Sequence, residues 1–230
     1  MYIGEVTSNI PPKQKTDNKV KAGAIAGSAL GIMGAVAGVY AMVKKGNPAV
    51  TLKNLTYEEK DVLLIGAGSI LGGLAGGLAT DKDKKNVVPK LREAGQQLVG
   101  SLVCPIGILA VANKLLDKAN IKMPQLPATV KGAVFINNAL NYLPKAAVTV
   151  ASLITGMELG NKIMNKVNNK IFKEEVKHDV KPEDYLVHTD DLCLATSMVL
   201  KDVEAVSNIT SKALPATFIL AGAKTGMQKA

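Results

Sequence analysis

The chain has 230 residues, of which 47% are hydrophobic, and its net charge of +9 comes from 28 basic side chains. Arg92 is the single arginine and aromatic residues make up only 3% of the chain. This argues against nucleic-acid binding, which uses arginine for bidentate contacts and aromatic rings for stacking. Cys104 and Cys193 lie far apart, which excludes a disulfide framework. Lysines spread over the connections favour anionic lipid head groups as a partner, and scarce arginine is also typical of AT-rich bacterial coding.

The first predicted helix covers residues 22–43, which contain no charged side chain and follow a polar tail, 1–21. The tail is too polar for a cleavable signal peptide, so we expect it to be flexible. At about 100° per residue, all five glycines of 22–43 fall within an arc of about 80°. These are Gly23, Gly27, Gly31, Gly34 and Gly38. Such a stripe lets a second backbone approach closely, as in the small-xxx-small pairs of membrane helices.

Residues 62–80 form the second predicted helix, with glycines on one half of the helical wheel and leucines on the other. The glycines are Gly66, Gly68, Gly72, Gly73, Gly76 and Gly77. We predict that 22–43 and 62–80 form a hairpin whose glycine stripes are in contact. The alternative is a dinucleotide-binding turn, because 66–72 has a loose Gly-x-Gly spacing. That alternative is weaker, since the helix after the turn needs a wet face and 70–79 has no polar side chain.

Two further apolar segments complete the pattern. Residues 94–113 contain no charge, and 132–157 is interrupted only by the Pro-Lys pair at 144–145. Apolar segments of about 20 residues suit a helix that crosses a bilayer. The sequence therefore predicts an all-α membrane bundle of three to four spans within 22–157, and Pro105 predicts a kink in the third span.

The segment 132–157 has its own polar stripe, for which there are two interpretations. Asn137, Asn141 and Lys145 fall on one side of a helical wheel. An ionisable group at membrane depth indicates a functional polar path. The interpretation that we prefer is that Pro144 breaks the segment into two short helices, with Lys145 at the water interface.

Residues 158–230 are predicted to form a basic, mostly helical region at the membrane surface. Within it, Thr189 is a suitable N-cap for a helix near 190–205. The apolar stretch 213–223 is too short to span a bilayer, which predicts an interfacial or packed helix. The His, Asp and Cys residues between 178 and 193 match no ligand spacing, so we expect no metal and no other cofactor.

The distribution of basic residues predicts an orientation in the membrane. With four spans, 15 basic residues lie in 1–21, 81–93 and 158–191, on the side of the two termini, and 8 lie in 44–61 and 113–131, on the other side. The positive-inside rule then predicts a cell-membrane protein with both termini in the cytoplasm.

No motif in the sequence supports an enzyme. We expect a structural or assembly protein in which glycine-faced helices mediate tight packing or homo-oligomerisation. One alternative is a small channel or pore that uses the polar stripe, and another is a secreted protein that inserts into a target bilayer. The remaining alternative is a soluble helical or dinucleotide-binding protein.

Overall fold

The computed structural model describes residues 16–52, 55, 57–119, 121, 123–127, 129–172 and 218–229. All regular structure in these ranges is helical, which confirms the predicted all-α class. The elements are α1 (Asn18–Gly46), α2 (Glu59–Thr80), a 3₁₀ turn (Lys84–Asn86), α3 (Val87–Gly95), a π-helical segment (Gln96–Val103), α4 (Cys104–Ala119), α5 (Ala133–Phe172) and α6 (218–226). The predicted helix near 190–205 lies outside the described residues.

Both helices of the first hairpin begin at acidic caps. The side chain of Asp17 accepts a hydrogen bond from the Lys19 N–H at 2.9 Å, so α1 begins at Asn18, before the predicted start at residue 22. At the start of α2, the Asp61 carboxylate accepts a hydrogen bond from the Glu58 N–H at 2.9 Å. In return, the Glu58 side chain accepts a hydrogen bond from the backbone N–H of Asp61. This capping box satisfies backbone donors that would otherwise lack partners.

Helices α3 and α4 are joined without a break by the π-helical segment. The Cys104 N–H bonds to the carbonyl of Val99, five residues back, where an α-helix would use the residue four back. Pro105 comes directly after this bond. Proline has no N–H and its ring clashes with the carbonyl four residues earlier, so a wider turn before Pro105 relieves the clash.

The break predicted at Pro144 does not occur. Helix α5 runs for 40 residues from Ala133 to Phe172 with Pro144 inside it. At about 1.5 Å per residue its length is about 60 Å. Its contacts with α4 and the π-helical segment bury Leu153 and Met157, and this packing offsets the single backbone hydrogen bond that proline removes.

Three helices are long and apolar enough to cross a membrane: Asn18–Gly46, Lys60–Thr80 and Lys84–Ala119. Helix α5, the possible fourth span, is not among them in the part of the chain that the structure describes. Large apolar side chains on these helices point outward, with Leu30 67%, Met33 65% and Val111 60% exposed. This pattern indicates membrane association.

The helices form two antiparallel hairpins, α1 with α2 and the helix 84–119 with α5. One end of the bundle holds the start of α1 beside Thr80 and the end of α5 beside α3, where the Arg92 guanidinium lies 5.1 Å from the Phe172 ring. Helix α6 joins the same end through an ion pair of 3.5 Å between Lys224 and Glu93. The shared end therefore carries the described residues nearest to both termini.

Candidate helix-packing site

The crossing of α1 and α2 consists of glycine backbone on both sides. A Cβ placed on Gly31 would lie 2.7 Å from the carbonyl carbon of Gly68, and one on Gly76 would lie 2.8 Å from that of Gly23. Real Cβ atoms do not approach other atoms this closely. The glycines in this contact are Gly23, Gly27 and Gly31 of α1 and Gly68, Gly72 and Gly76 of α2. Any larger residue at these positions would push the two helices apart.

The other two glycines of the α1 stripe are outside this contact. No atom of the described residues outside the local helix lies within 4 Å of a Cβ placed on Gly34 or Gly38. The crossing follows every fourth residue, so after Gly31 the next position in contact is Ala35, whose Cβ lies 3.0 Å from a Cβ placed on Gly68. The arc of 80° contains two neighbouring rows of residues spaced by four, 23/27/31 and 34/38. Only the first row faces α2.

Two glycines of α2 face α6 and not α1. A Cβ on Gly73 would lie 2.9 Å from the Cα of Gly222, and one on Gly77 would lie 2.5 Å from the Cα of Gly226. Gly66 is closed off by side chains of Leu102 and Phe218. The sequence expectation that the α2 glycines face α1 is therefore corrected for these positions. The signal that was missed is the Gly-x-x-x-Gly spacing of 222–226, next to a stretch predicted only to be interfacial or packed.

A buried pair of serines joins α1, α2 and α6. The Ser28 and Ser69 hydroxyl oxygens lie 2.7 Å apart, and both residues are fully buried. Ser69 donates to the carbonyl of Phe218, and the Ser28 hydroxyl lies 3.2 Å from the carbonyl oxygen of Ile219. A carbonyl oxygen has two lone pairs, so these bonds add to the helical ones. They hold Phe218 and Ile219 of α6 in the groove between α1 and α2.

The second hairpin uses the same kind of contact. A Cβ on Gly160 would lie 2.6 Å from the Cα of Gly100, and one on Gly156 would lie 2.7 Å from the Pro105 nitrogen. Next to this contact the Gln96 amide donates to the side chain of Asn161. The Gly-x-x-x-Gly spacing of 156–160 is a sequence signal for this contact. The glutamate between the two glycines is instead typical of a polar surface helix, and the signal was missed.

Two residues of the predicted polar stripe of α5 bond to the connection from α4. The Asn137 amide donates to the Leu126 carbonyl at 3.0 Å and accepts from the Leu126 N–H at 2.7 Å. Asn141 accepts from Gln125 at 2.9 Å. Lys145 is exposed. Two of the three residues therefore position the connecting segment.

A buried ion pair fixes the turn between α2 and α3. The ammonium group of Lys90, which is fully buried, bonds to the Asp81 carboxylate, and Asn86 donates to the same carboxylate at 3.0 Å. Burial alone would raise the pKa of Asp81. The hydrogen bonds from Lys90, the Asp83 N–H and Asn86, together with the positive charge of Lys90, outweigh burial and lower that pKa.

No group of three or more His, Cys, Asp or Glu side chains that could hold a metal ion occurs in the described ranges. The His, Asp and Cys residues between 178 and 193 lie outside those ranges. No family model matches the chain, and neither a curated protein nor a solved structure matches it. The geometry of the glycine contacts is therefore the basis for a functional proposal.

Proposed function

We propose that the chain is a non-enzymatic integral membrane protein with a structural or assembly role, in which glycine-faced helices mediate tight packing. The observation that carries this proposal is the α1–α2 crossing, where Gly27, Gly31, Gly68 and Gly72 bring two backbones into direct contact. Membrane helices associate through such close backbone approach, because lipid tails compete equally well for large apolar side chains.

The distribution of side-chain sizes supports a lipid environment over water. A water-soluble bundle turns its large apolar residues inward and its charges outward. Here the crossing of α1 and α2 holds glycine, while Leu30, Met33 and Leu71 are 67%, 65% and 52% exposed. These side chains would face water in a soluble protein and acyl chains in a membrane.

Lysines at one end of the bundle support anionic head groups as the surface that this end meets. Exposed lysines occur at the start of α1 (Lys19, Lys21), in the turn after α2 (Lys84, Lys85) and along the last turns of α5 (Lys166). Each lysine near an anionic leaflet adds about 1 kcal/mol of attraction. We infer that this end lies on the cytoplasmic side of the cell membrane.

Fractionation of cells with an alkaline carbonate wash tests the membrane assignment. The full chain should stay in the pellet after the wash and dissolve only in detergent, as expected for helices embedded in lipid. A peripheral control protein should be released by the same wash. Recovery of the chain in the wash without detergent would contradict the proposal and favour a compact soluble helical protein.

A further inference from the structure

Helix α5 carries two charges at the depth of the third span. Two contacts fix its position along the helix 84–119: Gly156 packs against Pro105, and Gly160 packs against Gly100. Glu158 lies between these two contacts, which places it beside the middle of the charge-free segment 94–113. Lys162 follows one turn later on the same helix.

Both charges lie on the outward side of α5. Thr149, Leu153 and Met157 are buried on its inward side. The outward ridge consists of exposed residues at spacings of three and four: Ala147, Ala151, Thr155, Glu158 and Lys162. If the third span crosses the membrane, as the proposed function requires, a single copy would hold a carboxylate and an ammonium group against lipid. Ionisable groups at such depth pair with one another or face water.

We propose that a second copy of this chain packs on this ridge, with Glu158 of each copy paired with Lys162 of the other. The inference rests on the proposed membrane function. The ridge is self-complementary, because it has one acid and one base a single turn apart. A two-fold axis along the membrane normal would form both pairs at once, as an isologous dimer requires. Both copies then keep the same orientation, as the lysine distribution demands.

The residues beside the charges suit a close approach of two α5 helices. Ala147, Ala151 and Thr155 are small and continue the ridge for two turns. Val150 and Ile154, 47% and 40% exposed, flank them and supply apolar contact. A pair within one helix, Glu158 with Lys162, is also sterically available. That pair would still face lipid, whereas the dimer covers both charges.

The inference is tested by cross-linking in membranes of the full chain with Cys104 and Cys193 replaced by serine. Ala151→Cys places a thiol on the ridge and should give a disulfide-linked dimer under mild oxidation. Leu30→Cys, on the exposed side of α1, is the matched control and should stay monomeric. Dimers at Leu30→Cys but not at Ala151→Cys would overturn the assignment of the interface to α5.

Charge complementation in trans separates the dimer from a pair within one helix. In the Ala151→Cys background, Glu158→Lys alone gives two bases per ridge and Lys162→Glu alone gives two acids. Each should lower the cross-linked fraction about tenfold, because like charges then face each other. Co-expression of the two variants with different tags should restore cross-linking, only between the two tags. Absence of restoration would overturn the inference.

A carbonate wash of the same samples distinguishes the two possible failures. If the Ala151→Cys chain with its native Glu158 and Lys162 remains in the pellet but does not cross-link, the membrane proposal stays intact and the dimer is removed. Release of the parent chain by the wash would remove the membrane proposal itself. Labelling of Ala151→Cys by a water-soluble maleimide in sealed membranes would also overturn the dimer, since it would mean that water covers the ridge.

Discussion

Gly72 lies within the backbone contact of α1 and α2, where there is no room for a side chain. A Cβ there would meet the carbonyl carbon of Gly27 at 3.0 Å and the Cα of Gly31 at 3.1 Å. Both neighbours are backbone atoms, which cannot rotate away as the end of a long side chain can. The cost of a larger residue is therefore a displacement of a whole helix.

We expect Gly72→Leu to lower the free energy of unfolding in detergent by about 3 kcal/mol or more, at the upper end of overpacking effects. Gly34→Leu is the matched control on the same hairpin, because no described atom beyond the local helix lies within 4 Å of a Cβ there. It should change stability by about 0.5 kcal/mol or less. Equal effects of the two variants, measured by unfolding in mixed micelles, would refute the glycine contact.

The ion pair of Asp81 and Lys90 makes the stability of the α2–α3 turn depend on pH. The native pKa of Asp81 is lowered from its usual value of 3.8. A lowered native pKa contributes stability that is present above the unfolded value and is lost as the pH falls through the native value. The midpoint of unfolding measured in detergent should therefore fall as the pH is lowered below about 3.8. The Asp81→Asn variant should lack the part of this fall that comes from protonation of Asp81.

Removal of one partner tests the same pair at constant pH. Lys90→Met leaves the Asp81 carboxylate, 9% exposed, without its cation. It should destabilise the protein by about 3–5 kcal/mol, and Lys90→Met with Asp81→Leu should recover much of that loss. A double variant that is less stable than the single one would show that the pair is not the source of the effect.

At the scale of the elements, local rules predicted some helices and failed for others. Charge-free segments of membrane length indicated the first three long helices, because length and hydropathy are properties of the segment itself. Pro144 was expected to break α5, but the packing of α5 on α4 and the π-helical segment compensates for one missing hydrogen bond. The place of α6 could not be read from the sequence, since its partners Ser28 and Ser69 lie far from it along the chain.

Helix α6 fills the groove between α1 and α2, and it fits there because Gly222 has no side chain. A Cβ on Gly222 would lie 2.5 Å from the hydroxyl oxygens of both Ser28 and Ser69. We expect Gly222→Leu to displace α6 and to expose the groove. In a chain with Cys104 and Cys193 replaced by serine, Ser69→Cys should then react with a small maleimide in detergent about tenfold faster than in the parent background.

Leu220→Ala is the matched control for the displacement of α6, because Leu220 is 65% exposed and faces away from the groove. It should leave the labelling of Ser69→Cys slow. Fast labelling in both backgrounds would mean that α6 leaves the groove even where Gly222 is kept, and Gly222 would then not account for its place there.

Among the described residues, glycines lie at the helix crossings, while large apolar residues both fill the core, as Ile65 and Ile106 do, and lie outside, as Leu30 and Met33 do. The glycine pairs 23/76, 31/68 and 100/160 mark crossings at different depths of the bundle. The sequence led us to expect contact between α1 and α2, the helices of the first two pairs, because each glycine stripe runs through an uninterrupted apolar segment. It did not indicate the third, because Glu158 and Lys162 gave the segment the composition of a surface helix.

The proposed orientation of the bundle in the membrane can be tested at its two ends. Lys84, in the turn after α2, and Lys118, at the end of α4, are exposed at opposite ends of the helix 84–119, about 50 Å apart. With 132–157 as a fourth span, the end near Lys84 belongs to the side where 1–21, 81–93 and 158–191 hold 15 basic residues. The end near Lys118 belongs to the side where 44–61 and 113–131 hold 8. Lys118→Cys should therefore react with a membrane-impermeant maleimide in intact cells, and Lys84→Cys only after lysis, in a chain without other cysteines. The reverse pattern would place both described ends of the chain outside the cytoplasm, and the lysines near Lys84 would then not meet the anionic inner leaflet.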